Sequence, residues 1–442
     1  MIVNQLDKVL TKIDTPLFHS IGEAADSIGR PCYAVGGCVR DLFLERPSKD
    51  IDFVTVGSGI ELAEVVARRL GRGTHLTVFR NFGTAQVKRK DMELEFVGAR
   101  KESYQRDSRK PIVEDGTLEE DLSRRDFTVN ALALRVNREG FGQLIDLFGG
   151  LDDMRARLLR TPLDPDITFS DDPLRMMRAI RFATQLQFEI FPETFEAIRR
   201  NAERIRIISR ERIVDELMKI MKSSRPSTGW QLLLDSGLLQ LIFLELAAMK
   251  WVDTVKGRGH KDNFSHTLEV LDNVAVKSDN VWLRWGALMH DIAKPVTKRW
   301  DDKIGWTFHN HNFVGSKMVP RIFRHMRLPQ DQKMKYVAKL VELHMRPIAL
   351  VEDEVTDSAV RRLINDAGED LEDLMTLCEA DITSKNREKV KRLLNNFALV
   401  REKIADLNVR DEIRNLQPPV DGNEIMQIFG ITGGPVIGVI KS

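Results

Sequence analysis

The feature that most constrains this chain is a change of hydrophobic period near residue 150. From residue 31 to about 148, short β-rich runs (PCYAV, IDFVTV, AQVKR, MELEFV, ALALRV) alternate with helical stretches such as GIELAEVVARRL. That pattern specifies an α/β unit. After LFGGLDDMRARLLR the β signal nearly vanishes. Helical segments then run to about 415, interrupted at 223–228, 256–263, 294–296 and 327–330. The expected fold class is an α/β head, a mixed sheet with helices, followed by a long all-α remainder. At 442 residues the chain is too long for one compact core, and further division is expected near 225 and 400.

Charge excludes a globally basic nucleic-acid binder, because 67 Lys and Arg balance 66 Asp and Glu. Any such surface must be local. RNAERIRIISRERI, from Arg200 to Ile213, is one basic run, and alone it reads as a solvated helix face. The three cysteines, Cys32, Cys38 and Cys378, contain no Cys-x-x-Cys, which argues for a reducing compartment. MIVNQLDKVLTKID has no basic segment leading into an apolar core, so no secretory signal is expected. GLLQLIFLELAAM is 13 residues long and contains Glu245, which fits a buried helix rather than a membrane span. The expected location is cytoplasmic, with no membrane partner.

The stretch YAVGGCVRDLFLERPSKDIDFVTVG, Tyr33 to Gly57, carries the densest chemistry. YAV reads as a strand, Gly36 and Gly37 permit a backbone closed to other residues, and CVRDLFLE reads as a helix. Such a junction presents free N–H groups to a phosphate, and Arg40 can add a charge-assisted contact. In KDIDFVTV, period-2 alternation puts Asp50 and Asp52 on one face and Ile51 and Phe53 on the other. Adjacent carboxylates repel unless a cation sits between them. Mg²⁺ shared with a nucleoside triphosphate answers that need, and the chemistry is displacement at a phosphoryl centre.

GGCVRD followed by KDIDFV resembles the head of class II nucleotidyltransferases, the family of tRNA CCA-adding enzymes and bacterial poly(A) polymerases. FGTAQV, LEFVGARKESY, DLSRRDFTVNALAL, DDPLRMMRAIRF and ISRERIVDEL are similar to later family motifs, in order. The resemblance implies that Asp50 and Asp52 hold catalytic Mg²⁺ and that Glu95 is a third carboxylate. It implies nucleotide contacts from Gly36, Gly37, Arg40 and Arg125. Asp172 and Arg175 would read the incoming base, with Arg178 and Arg181 on the triphosphate or primer. Placed on one helix, Asp172, Arg175 and Arg178 step by three and share a face. An Asp accepts from an exocyclic amine while an Arg donates to ring or carbonyl acceptors, so the pair can read a base edge. Asp171 stands where the family usually has Glu. The family also divides the chain into a head at 1–150, a neck at 151–225, a body at 226–400 and a tail at 401–442.

A second constellation lies in the helical body: FSHTLEVL, ALMHDIAK, FHNHNFVG, VELHMR and CEADIT. An ionisable His-Asp pair inside an apolar helix is costly unless satisfied, and imidazole with carboxylate suits a divalent metal. The set resembles the HD phosphohydrolase superfamily, which implies His266, His290, Asp291 and Asp381 as core metal ligands. His311 and His344 are the additional ones, and His309 is a decoy. A metal-activated water would then attack a phosphoester.

The expected function is addition or repair of the tRNA 3′-terminal CCA from CTP and ATP. An A-adding enzyme or a poly(A) polymerase would share the mechanism. An HD-type metal-dependent phosphohydrolase is the rival of a different class. The segment from GARKESYQRDSRKP to RRDFT, linked in the family to ATP use, is present in full. In the tail, the helix that Gly434-Pro435 would begin is short.

Overall fold

The computed structural model describes residues 2–48, 50–103, 112–255, 258–259, 262–352, 356–383, 386–415, 422–430 and 434. Seven strands form one sheet in the order Thr74–Phe79, Thr84–Arg89, Met92–Gly98, Asp50–Thr55, Cys32–Val35, Leu132–Arg135, Leu144–Asp146. Asp50–Thr55 and Met92–Gly98 are parallel, and the other neighbours are antiparallel. The head sheet is therefore mixed, and helices dominate the rest of the chain.

Alternation along Asp50–Thr55 works as the pattern dictates. Phe53 is fully buried and stacks on Phe96 at 5.2 Å between centroids, while Asp50 and Asp52 take the other face. The Gly59–Leu70 helix covers the apolar side with Leu62, Ala63 and Val66, and Ser58 caps it through the Glu61 amide. Two strands of the sheet were not among the β-rich runs. Thr74–Phe79 is a mostly exposed edge strand, so burial imposes no alternation on it, and Leu144–Asp146 has only three residues. Short strand pairs also interrupt the region where the β signal nearly vanishes, among them the hairpin of Arg299–Asp301 with Gly305–Thr307 and the parallel pair of Leu158–Leu159 with Glu189–Ile190.

In the following segment the Leu174–Leu186 helix buries Met176, Met177, Ile180 and Ala183 at helical spacing. That leaves Arg175, Arg178 and Arg181 toward the head. Asp172 departs from expectation. It is not on this helix but in extended backbone (φ −132°, ψ 99°), between the Pro165–Asp171 helix and Pro173. The ring of a following proline excludes the α region, which forces this conformation. The Asp172 carboxylate then accepts from the Leu174 amide at 3.1 Å, at the start of the next helix.

Behind it, Trp230 and Trp285 meet edge to face at 5.9 Å in the core of the helical region. Arg284, only 2% exposed, donates to the carbonyls of Met221, Ser223, Ser278 and Ala275. One guanidinium thereby satisfies the ends of two helices, Arg210–Met221 and Asn263–Lys277, and ties them together. Pro435 and the chain beyond it, and residues 104–111 of the segment linked to ATP use, lie outside the described residues. No helix among the described residues is long and apolar enough to cross a membrane.

Candidate active site and metal centre

A cavity of about 660 Å³ opens between the sheet and the Leu174–Leu186 helix. It brings together Gly36, Gly37, Arg40, Asp50, Asp52, Glu95, Arg125, Asp172, Arg175, Arg178 and Arg181. The strand pairing explains the carboxylates: in the parallel register Asp52 lies opposite Glu95, and Asp50 is two residues along the same face. Burial pushes the Asp52 carboxyl above its ordinary range, Arg125 draws it down and Asp50 pushes it up again. Glu95 is raised by burial and by Asp52. Three carboxylates on one face of the cavity offer the hard oxygen donors that Mg²⁺ takes.

Gly36 adopts φ +76°, and a Cβ there would sit 2.7 Å from Arg125 Nη1 and 3.8 Å from Asp52 Oδ2. A side chain at this position would fill the site itself. Arg125 is anchored by Asp121 at 3.1 Å. Arg40 is less available than its position suggests. It is buried, forms a two-pronged pair with Asp41 and donates to Asn130 at 2.8 Å. Its first role is to brace the cavity wall.

Several residues of this site escaped the sequence reading. Asp126, 7% exposed, takes Arg178 Nε and Nη2 at 2.7 and 2.6 Å, and also accepts from Asn130 and the Phe127 amide. Burial works against its charge, but Arg178 and Asn130 hold it below the ordinary aspartate range. Glu216 Oε2 forms an ion pair with Arg181, 2.6 Å from its Nε. Arg212 lies 3.5 Å from the base-reading candidate Asp172. Asp126 in RRDFTVN was the one visible signal, a charge followed at once by an apolar run.

The second centre is compact. His266 Nε2 lies 2.8 Å from Asp381 Oδ1, and His290 Nε2 lies 3.3 Å from Asp291 Oδ2. The other oxygen of Asp291 faces His311 Nε2 at 3.3 Å and His344 Nε2 at 3.8 Å. The six side chains thus form two triads, His266–His290–Asp381 and Asp291–His311–His344, with Asp291 between them. Local geometry aims the rings. Nδ1 of His290, His311 and His344 donates to the carbonyl three residues earlier, and Nδ1 of His266 meets Thr383 Oγ1. Each Nε2 is left pointing inward. His309 is exposed, outside the cluster.

Two atoms test whether a cation fits. His290 Nε2 and Asp291 Oδ1 are buried and have no hydrogen-bond partner among the described residues, the state a bound divalent ion relieves. The electrostatics agree. Burial opposes charge on His290, but Asp291 and Asp381 push it up to about 10, while burial and His290 push His344 down to about 4.

Residues 32–160 match the poly A polymerase head domain, 187–250 the probable RNA and SrmB-binding site of polymerase A, and 263–385 the HD domain. The chain is 35% identical over 332 residues to the A-adding tRNA nucleotidyltransferase of Deinococcus radiodurans, covering 73% of each chain. It is 38% identical over 240 residues to the CCA-adding enzyme of Lactobacillus johnsonii, covering 54% of this chain and 56% of that one. A tRNA nucleotidyltransferase solved with a primer tRNA and an incoming ATP analog is similar in structure. It has 26% identity and a TM-score of 0.60, over 86% of this chain and 99% of that chain. Sequence and fold therefore agree, and the chain belongs to the family of CCA-adding and A-adding tRNA nucleotidyltransferases.

Proposed function

We propose that this enzyme completes the 3′ end of tRNA, adding C, C and A from CTP and ATP without a nucleic-acid template. The tRNA 3′-hydroxyl attacks the nucleotide α-phosphate and pyrophosphate leaves. One observation carries the reading: the Asp50–Asp52 pair and the Asp172–Arg175 pair share a single cavity. Asp50 and Asp52, with Glu95 beside them, would hold Mg²⁺, which neutralises phosphate charge and acidifies the attacking hydroxyl when bound. The remaining work is positioning. Gly36 and Gly37 let the backbone approach the phosphates, and Arg125, Arg178 and Arg181 contact them. Asp172 accepts from the base amine, Arg175 donates to a ring or carbonyl acceptor, and Arg212 orients Asp172. The head, neck, body and tail divide at 150, 225 and 400, and the enzyme works in the cytoplasm.

A second reading, addition of the terminal A alone, is favoured by the relative matched over 73% of its length, an A-adding enzyme. Incubation with tRNA ending at the discriminator base, Mg²⁺ and CTP, ATP or both separates the two. Three added nucleotides with both substrates support CCA addition; one A added only to a CC-ending tRNA supports the second reading. An Asp52→Ala variant that extends the primer at the wild-type rate would refute the metal assignment.

The body centre fits a phosphoester hydrolase, with His266, His290, Asp291, His311, His344 and Asp381 holding divalent metal whose chemistry is Lewis-acid activation of water. Hydrolysis of 2′,3′-cyclic phosphates with Ni²⁺, Mn²⁺ or Mg²⁺ tests it, and activity unchanged by Asp291→Ala sinks it.

A further inference from the structure

Three guanidiniums surround one phenyl ring in the wall of the head cavity. The Cζ atoms of Arg181, Arg40 and Arg178 lie 3.9, 5.0 and 5.4 Å from the centroid of Phe182. Arg178 and Arg181 share the helix of Phe182, whereas Arg40 comes from the Gly37–Phe43 helix, so the ring joins the head to the base-reading helix. The ring is 7% exposed, and Phe127 meets it at 5.9 Å with the planes 82° apart. Each cation has a carboxylate of its own: Asp41 for Arg40, Asp126 for Arg178, Glu216 for Arg181.

Packing alone would surround a buried ring with hydrocarbon. Here three like charges crowd around it, and burial, then Arg178 and Arg40, hold Arg181 below the ordinary arginine range. The negative face of a phenyl ring attracts such cations, which a leucine of similar volume cannot do. The carboxylates fix one end of each contact and the ring fixes the other, so the guanidiniums are held before any ligand arrives.

We infer that Phe182 is a positioning residue for nucleotide binding: its ring, backed by the bracing Arg40, aligns Arg178 and Arg181 into a fixed pair of charges that receives the triphosphate. The inference rests on the reading of Arg178 and Arg181 as triphosphate ligands. Its consequence is selective. Aligned cations count in proportion to the phosphate charge of the ligand, whereas a packing fault weakens every ligand alike.

Calorimetric titration of the full chain with ATP and with AMP, in Mg²⁺, tests it. Phe182→Leu should weaken ATP about tenfold and AMP by less than about twofold. Phe182→Tyr keeps the ring face and should hold ATP within about threefold of wild type. Pentafluorophenylalanine at 182 keeps the shape but reverses the charge of the ring face, so it should reproduce the loss even where leucine disturbs folding. Equal losses for ATP and AMP, or full ATP affinity in the fluorinated protein, overturn the positioning role. Full ATP affinity in Arg181→Gln overturns instead the reading of the arginines on which the role rests.

Discussion

Replacing Asp126 by asparagine isolates the contact that holds Arg178 in the cavity. The substitution preserves shape and keeps an oxygen for the Phe127 amide and the Asn130 side chain, both at 2.9 Å. It removes the charge that Arg178 meets at 2.6 and 2.7 Å. Removing one partner of a buried ion pair costs about 3–5 kcal/mol. The Arg178 side chain is 36% exposed, so water offsets part of that, and a loss of about 2 kcal/mol is expected. Several packed units do not unfold in one two-state step, so the loss is best read locally, as faster hydrogen exchange of the Leu174–Leu186 amides.

The acid dependence of this contact has a definite sign. Asp126 lies below the ordinary aspartate range in the folded chain. Its contribution is complete above the unfolded value of about 3.9 and is lost as pH falls through the lower folded value. The wild-type advantage over Asp126→Asn should be constant from about pH 7 to pH 5 and shrink below about pH 4. A double-mutant cycle with Arg178→Gln should recover most of the 2 kcal/mol (about 1–2) as coupling. Strictly additive losses, or an advantage undiminished near pH 3, would refute the assignment.

Other substitutions probe the remaining supports. Gly36→Ala places a methyl group against Arg125 at a positive φ. Nucleotide addition should fall at least tenfold, by primer extension, while the thermal midpoint drops roughly 2–4 °C. Arg284→Met leaves the carbonyls of Met221, Ser223, Ser278 and Ala275 without their donor. A loss of about 3 kcal/mol should follow, with faster proteolytic cutting near residues 222–226. His344→Ala should lower the divalent metal retained after dialysis, counted by elemental mass spectrometry, yet leave addition to tRNA within about twofold.

Residues whose role depends on local periodicity were the ones legible in the sequence. The Asp50–Asp52 pair needs only strand alternation to share a face, and the strand in fact delivers both to the cavity. The histidines of the body were legible because an ionisable group in an apolar helix has few uses. The inward aim of their rings is also local, since it comes from carbonyls three residues earlier. The partners that hold the arginines are different. Asp126 is 52 residues from Arg178, and Asn130 is 90 from Arg40. No periodicity predicts pairings that exist only after segments distant in sequence pack together.

Asp172 shows the reverse case, a local signal overridden by a stronger one. Steps of three through 172, 175 and 178 mimic one helical face, but Pro173 forbids Asp172 the helical backbone. The outcome favours function. On the helix, the carboxylate would be held at a fixed angle to Arg175 by the backbone spiral. In extended backbone it is held instead by the Leu174 amide and by Arg212, a residue from a different helix. On the proposed reading of Asp172 and Arg175 as a base-reading pair, Arg212 would tune one half of it without moving the other. Arg212→Lys should alter the preference between CTP and ATP more than it alters the summed rate with both. An equal change in the two substrates would place Arg212 in general phosphate binding instead.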